Sequence, residues 1–153
     1  MEAVSNVLFV CTGNTCRSPM AEALLQFMKR SDQTKVKSAG VFAMDGSDAS
    51  PYAKDVLLEK GIAFNHRSSL LNGEKVDWAT HILTMTESHK QLMLERFPEA
   101  KEKIWTLSEY VHGLSEKRDV LDPYGGPAEI YRATRDDLEG MLKLLLEKIE
   151  QTS

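Results

Sequence analysis

Short apolar runs alternate along the chain with segments whose apolar residues have helical spacing. The apolar runs predict four strands, at residues 4–10, 36–41, 78–85 and 104–107. Helical spacing and helix-start signals predict four helices, at residues 20–29, 50–60, 87–97 and 128–150. Because strands and helices alternate, we expect an α/β fold: a three-layer, doubly wound sheet of about four parallel strands, with the first strand central and helices on both faces.

Some segments are less regular. Residues 64–70 fit no single element, residues 108–121 resemble a loop, and residues 122–127 form a second irregular segment rich in Gly and Pro.

In the first predicted helix, the apolar face carries Met20, Leu24, Phe27 and Met28. Trp78 and Trp105 begin or lie within apolar strands, which favours core positions.

The loop between the first strand and the first helix contains the most informative chemistry. It places Cys11 at the carboxyl end of a strand, the edge at which parallel sheets bind ligands. The backbone N–H groups that follow, together with the positive end of the helix, converge on one point. Such a point is suited to a tetrahedral dianion.

Cys11 and Arg17 supply the reactive groups of this loop. We expect the helix N-terminus and nearby positive charge to lower the pKa of the Cys11 thiol, which would make it a thiolate nucleophile. Arg17 follows five loop residues, enough chain to curl around an anion and return a guanidinium for bidentate contact. Together these residues favour phosphoryl transfer over simple phosphate binding.

The other loop residues fit this interpretation. Gly13 and Asn14 tolerate the left-handed backbone that a ring of inward N–H groups requires. Ser18 is expected to cap the first helix and to donate to the thiolate, with Pro19 at the first helical position.

A phosphoryl leaving group needs a proton, so an acid must reach over the loop. Among the 23 Asp and Glu residues, Asp122 stands out because Pro123 makes its backbone extended and Tyr124 supplies a wall. Gly125 and Gly126 allow close approach to a site. The alternative for this segment is a plain Asp-Pro turn.

Composition limits the possible functions. The 153 residues, 42% of them hydrophobic, predict a single domain over residues 1–153 that needs no disulfide or structural metal. The net charge of -4, without a dense Lys/Arg cluster, argues against nucleic acid and anionic membranes as partners. Residues 1–6 lack the signature of a secretory leader, and no apolar run could span a bilayer, so we expect a cytoplasmic protein that is a monomer.

Neither a metal nor another cofactor is expected. The four histidines, which show no ligand spacing with cysteine or with each other and are assigned to surface or strand positions, are His66, His81, His89 and His112. The only two cysteines, Cys11 and Cys16, lie in the same loop and cannot connect distant parts of the fold.

Three motifs resemble the low-molecular-weight protein tyrosine phosphatase family over essentially the whole chain: CTGNTCRSPMAE at residues 11–22, SAG at 38–40 and DPY at 122–124. The resemblance implies that Cys11 forms a cysteinyl-phosphate, that Arg17 and the loop amides stabilise the transferring group, and that Asp122 protonates the leaving group and then activates water. The expected substrate-binding residues are Thr12, Gly13, Asn14, Thr15, Cys16, Ser18 and Tyr124.

Within the family, the sequence is most similar to the bacterial protein arginine phosphatases. Thr15 occupies a position that is often Ile in the tyrosine-specific branch, and it leaves room and a hydroxyl for a polar guanidinium. Gly125 replaces one of two adjacent aromatic residues that often flank a phenyl ring. The runs SAGVFA at 38–43 and DPYGG at 122–126 also resemble the arginine branch.

The resemblance further implies that oxidised Cys11 condenses with Cys16 into a reversible disulfide. The alternative is that Cys16 only packs beneath the loop.

Three other functions remain open from the sequence. Phosphotyrosine hydrolysis would use the same groups. Arsenate reduction would need further cysteines to relay a disulfide, which this chain lacks. A phosphate- or phosphopeptide-binding module would not need Cys11, Arg17 and Asp122 together.

Overall fold

The computed structural model describes residues 4–116 and 118–150. The N-terminal segment 1–6, which was predicted not to be a secretory leader, therefore lies partly outside the described residues. Four strands form one parallel sheet: β1 (Ser5–Cys11), β2 (Thr34–Gly40), β3 (His81–Thr84) and β4 (Ile104–Thr106). Their order is β2-β1-β3-β4, which confirms the predicted parallel sheet with the first strand in a central position.

Helices connect the strands in the described part of the chain. The α-helices are α1 (Arg17–Met28), α2 (Pro51–Leu58), α3 (Gly73–Trp78), α4 (Glu87–Arg96), α5 (Leu107–His112) and α6 (Ala128–Ile149). Short 3₁₀ helices occupy Pro98–Lys103 and Leu114–Glu116. None of the helices in residues 4–116 and 118–150 has the length and apolar character to cross a bilayer.

The sheet separates two hydrophobic cores. Along β1, Val7 and Phe9 pack into one core with α1, α2 and α6, whereas Leu8 and Val10 pack into the other with α3 and α4. This alternation is the period of two of a strand buried on both faces. Helices therefore cover both sides of the sheet, as the three-layer prediction requires.

Two residues that were predicted to lie in strands lie in helices instead. Trp78 was expected to begin a strand but ends α3, whose first turn is fixed by the Asn72 side chain, which accepts from the Lys75 amide. Leu107 was expected to end a strand but begins α5, because Thr106 and Glu109 form a reciprocal capping box.

The burial of aromatic side chains also differs from expectation. Phe27 is 63% exposed. Consecutive helical residues are rotated by about 100° around the helix axis, and the neighbouring Met28 is partly buried. Phe27 therefore lies at the edge of the face of α1 that packs against the core. Trp78 and Trp105 are partly buried and pack against the outside of the two cores.

Candidate active site

A loop at residues 12–16 leads from the end of β1 to the start of α1 and surrounds an open pocket of about 220 Å³. Eight residues line the pocket: Cys11, Thr12, Gly13, Thr15, Cys16, Arg17, Asp122 and Tyr124. The fold therefore brings together the three residues predicted to be catalytic, although Asp122 is more than 100 positions from the loop. Asn14 and Ser18, which were expected to bind substrate, are fully buried and do not line the pocket.

The loop rests on the end of β2. The amides of Val41 and Phe42 donate to the carbonyls of Cys11 and Thr12 at 2.9 and 3.0 Å. A Cβ atom on Gly40 would lie 2.5 Å from the Thr12 carbonyl oxygen and 2.9 Å from the Asn14 nitrogen. Gly40 is needed here because the two backbones approach too closely for any side chain.

Asn14 holds the loop from beneath. It has a φ of 57°, the left-handed backbone predicted for it, whereas Gly13, for which the same was predicted, does not have a positive φ. Its side-chain amide donates to Ser18 and Ser38 at 2.8 and 2.9 Å, and its Oδ1 accepts from the Ser69 amide at 2.9 Å. Ser38 in turn donates to Glu22. A strained backbone position is thus stabilised by a fully bonded buried side chain.

Ser18 connects this network to the sulfur. Its Oγ lies 2.7 Å from Cys11 Sγ. The same oxygen accepts from the Asn14 side-chain amide, and the hydroxyl proton can be donated to the sulfur when Cys11 is a thiolate. Ser18 does not cap the helix, however: α1 begins at Arg17, Cys16 is the N-cap without a side-chain cap bond, and Pro19 is the third helical residue.

The thiol of Cys11 is subject to opposing influences. Burial raises its pKa, opposite to the lowering predicted from the sequence. The Ser18 hydroxyl, the amides of Ser18 and Asn14, and the charge of Arg17 all act to lower it. A thiolate at this position therefore depends on these contacts together with the positive end of α1.

Arg17 joins the loop to the segment that carries Asp122. Its side chain is 7% exposed, and its Nη1 donates to the Val120 carbonyl at 3.1 Å. The Val120 amide donates to Met85 at the end of β3, which fixes this segment over the sheet edge. Arg17 Nη2 lies 3.5 Å from Asp122 Oδ2.

Asp122 itself is 53% exposed at its side chain, so it is open to a leaving group that enters from solvent. Its Oδ1 accepts from the Tyr124 amide at 3.1 Å, a local bond that forms the turn. Gly125 has a φ of 82°, which a side chain would strain. Tyr124 is 77% exposed at the mouth of the pocket.

Thr15 and Cys16 both line the pocket. Cys16 Sγ contacts the hydroxyl of Tyr131 at 3.4 Å and that of Ser50 at 3.6 Å. Burial and the contact with Cys16 raise the pKa of Tyr131 to about 12, so the phenol keeps its proton. Both cysteines are free thiols in the structure.

Two histidines assigned to surface or strand positions instead support the loop. His66 is buried, and its Nε2 donates to the Asn14 carbonyl at 2.7 Å. His89 is also buried, and its Nε2 lies 2.8 Å from Thr12 Oγ1. A single histidine has no periodic signal, so neither contact can be predicted from the residue pattern. Across residues 4–116 and 118–150, no cluster of three His, Cys, Asp or Glu side chains is suited to a metal ion.

Comparison with known proteins places this geometry in context. Residues 6–153 match the family model described as low molecular weight phosphotyrosine protein phosphatase. The chain is 58% identical to a protein-arginine-phosphatase from Geobacillus stearothermophilus over 94% of this chain and 95% of that protein. It is 46% identical to one from Bacillus subtilis, over 95% and 97%. The solved structure of the YwlE arginine phosphatase from Geobacillus stearothermophilus superposes with a TM-score of 0.92 at 56% identity, covering 95% and 93% of the two chains.

Proposed function

Because the chain belongs to the low molecular weight phosphotyrosine protein phosphatase family, we propose that it is a protein-arginine phosphatase that hydrolyses phosphoarginine in proteins. The observation that carries this proposal is one pocket lined by Cys11, Arg17 and Asp122, with Thr15 beside them. The names and high identity of the relatives described above support the substrate.

In the first step, the Cys11 thiolate attacks phosphorus, and an S–P bond forms as the P–N bond to the guanidinium breaks. The departing nitrogen takes a proton from Asp122, whose exposed carboxyl group lies at the same pocket. Arg17 and the loop amides hold the phosphoryl oxygens while charge redistributes. The products are a cysteinyl-phosphate and a free arginine side chain.

In the second step, Asp122, now a carboxylate, takes a proton from water, and the water oxygen attacks phosphorus. The S–P bond breaks, inorganic phosphate leaves, and the Cys11 thiolate returns. The Ser18 hydroxyl stabilises that thiolate as leaving group through the 2.7 Å contact. No cofactor is required.

Selectivity for phosphoarginine is assigned to two positions. Thr15 places a small side chain with a hydroxyl at the pocket wall, which suits a polar guanidinium better than an aromatic ring. Gly125 leaves the pocket without a second aromatic wall beside Tyr124. Once it has given its proton to the departing nitrogen, the Asp122 carboxylate can also accept paired N–H bonds from the released guanidinium.

The second candidate function is phosphotyrosine hydrolysis. It is favoured by the family description and by Tyr124, an exposed aromatic side chain at the mouth that could lie against a phenyl ring. Turnover of matched phosphoarginine and phosphotyrosine peptides distinguishes the two functions. Preference for phosphotyrosine would contradict the proposal.

The remaining expectations are part of the same proposal. Residues 1–153 act as one phosphatase domain, as a monomer in the cytoplasm. Oxidation of Cys11 leads to a reversible disulfide with Cys16, and the position of both free thiols in the lining of one pocket supports this pairing.

A further inference from the structure

A contact between Thr12 and His89 links the phosphate loop to α4. Thr12 Oγ1 and His89 Nε2 are 2.8 Å apart. Thr12 is exposed and lines the pocket, whereas His89 is 5% exposed. A buried ring therefore holds the hydroxyl of a residue that faces the site of the phosphoryl group. The proposed mechanism does not use this contact.

The surroundings of His89 determine which ring nitrogen carries the proton. Among the described residues, the buried Nδ1 has no hydrogen-bond partner. A buried N–H group without an acceptor costs more free energy, and is rarer, than a buried lone pair without a donor. An unpartnered Nδ1 is therefore more stable as a lone pair than as an N–H group. The neutral ring therefore carries its proton on Nε2 and donates it to Thr12 Oγ1.

The ring is neutral at physiological pH. Burial, followed by the charge of Arg17, lowers the pKa of His89 to about 4, and the carboxylates of Asp119 and Asp122 oppose this shift only partly. At a pH above this pKa the imidazole is uncharged, so it keeps a single N–H donor.

We propose that His89 is a positioning residue that makes Thr12 a hydrogen-bond donor to the bound phosphoryl group. Once Thr12 Oγ1 accepts from His89, its own proton turns toward the pocket, where an anion is the available acceptor. Without His89, the hydroxyl of this pocket-lining residue would rotate and bond in several orientations. The inference rests on the proposed function for the identity of the anion.

The test is calorimetric binding of inorganic phosphate to the full chain. Thr12→Val keeps the side-chain shape and removes the hydroxyl, and His89→Phe keeps a ring and removes the N–H. We expect each variant to raise the Kd by about tenfold, and the double variant to bind no more weakly than Thr12→Val. Unchanged affinity in His89→Phe, or additive losses in the double variant, would overturn the proposal.

A matched pair of amides decides the question if His89→Phe does not fold. The side-chain nitrogen of Gln reaches the position of Nε2, whereas that of Asn reaches only the position of Nδ1. We expect His89→Gln to bind phosphate within about twofold of the wild type and His89→Asn about tenfold more weakly. Equal affinity of these two variants would contradict the assigned role.

This measurement is separate from the proposed function because it needs no turnover. Loss of coupling between Thr12 and His89, with phosphoarginine hydrolysis intact, refutes the inference alone. Intact coupling without hydrolysis of phosphoarginine refutes the proposed function alone.

Discussion

Cys11 Sγ and Ser18 Oγ lie 2.7 Å apart, so the Ser18 hydroxyl donates to the sulfur when Cys11 is a thiolate, which has no proton of its own to donate. Burial raises the pKa of the Cys11 thiol, and this contact acts against burial together with the backbone amides of Ser18 and Asn14 and the charge of Arg17. The reactivity of the nucleophile is therefore controlled by a side chain that does not line the pocket.

We predict that Ser18→Ala raises the pKa of Cys11 further and lowers kcat by about tenfold, since a bond to the charged form is lost. The alkylation rate of Cys11 by iodoacetamide, which rises with pH as the thiolate forms, should reach its plateau at a higher pH in the variant. Ser108→Ala, which removes a buried hydroxyl that accepts from the Arg118 amide, is the matched control. Coincident alkylation profiles for Ser18→Ala and the wild type would refute this role.

Gly40→Ala should disrupt the loop, because the added Cβ would meet the Thr12 carbonyl at 2.5 Å. We expect a loss of about 1–3 kcal/mol in the free energy of unfolding and weaker phosphate binding. Gly140→Ala is the control: it lies within α6 with open space around the added Cβ, and it should gain about 0.5–1 kcal/mol. Urea unfolding measures both changes, and a stable Gly40→Ala chain with full phosphate affinity would be inconsistent with this account.

Asp122→Asn removes the proposed proton donor while it keeps the side-chain shape. We expect kcat on phosphoarginine to fall at least about 100-fold, with the stability unchanged because this side chain is largely exposed. Asp77→Asn, on the exposed face of α3, should retain full activity. Near-full turnover by Asp122→Asn would exclude the assigned role.

Thr15→Ile should shift selectivity toward phosphotyrosine. A branched apolar side chain at the pocket wall removes a hydroxyl from the guanidinium and adds apolar surface for a phenyl ring. We expect the ratio of kcat/KM for phosphoarginine over phosphotyrosine to fall by about tenfold. An unchanged ratio would place selectivity elsewhere in the pocket.

The proposed disulfide is tested by oxidation and recovery. Peroxide converts the Cys11 thiolate to a sulfenic acid, which condenses with the Cys16 thiol and releases water. After peroxide and then dithiothreitol, the wild type should regain its activity, whereas Cys16→Ser should remain inactive through over-oxidation of Cys11. Equally complete recovery by Cys16→Ser would show that Cys16 only packs beneath the loop.

The parts of the site that could be predicted from sequence are those encoded locally. Cys11 and Arg17 belong to one strand-loop-helix segment, in which residue spacing alone indicates an anion site. Local sequence indicates Asp122 as a candidate acid, but only the family resemblance implies that it meets Cys11, because the sequence does not show that residues so far apart meet at one pocket. The sheet followed from the period of the apolar runs.

The missed features depend on tertiary contacts or on weak local signals. His66 and His89 contact the loop across 52 and 77 positions, and a single histidine carries no pattern that reveals such a partner. The helix α5 did have a local signal, the Thr106-x-x-Glu109 capping box. The pKa of Cys11 is raised and not lowered because burial at the end of a central strand outweighs the groups around the sulfur that favour the thiolate.

The most direct test of the proposed function is the wild-type ratio of kcat/KM on two peptides that differ only in phosphoarginine or phosphotyrosine. A pocket with Thr15 at its wall and one aromatic side chain, Tyr124, at its mouth predicts the higher value for phosphoarginine. A higher value for phosphotyrosine would contradict the account.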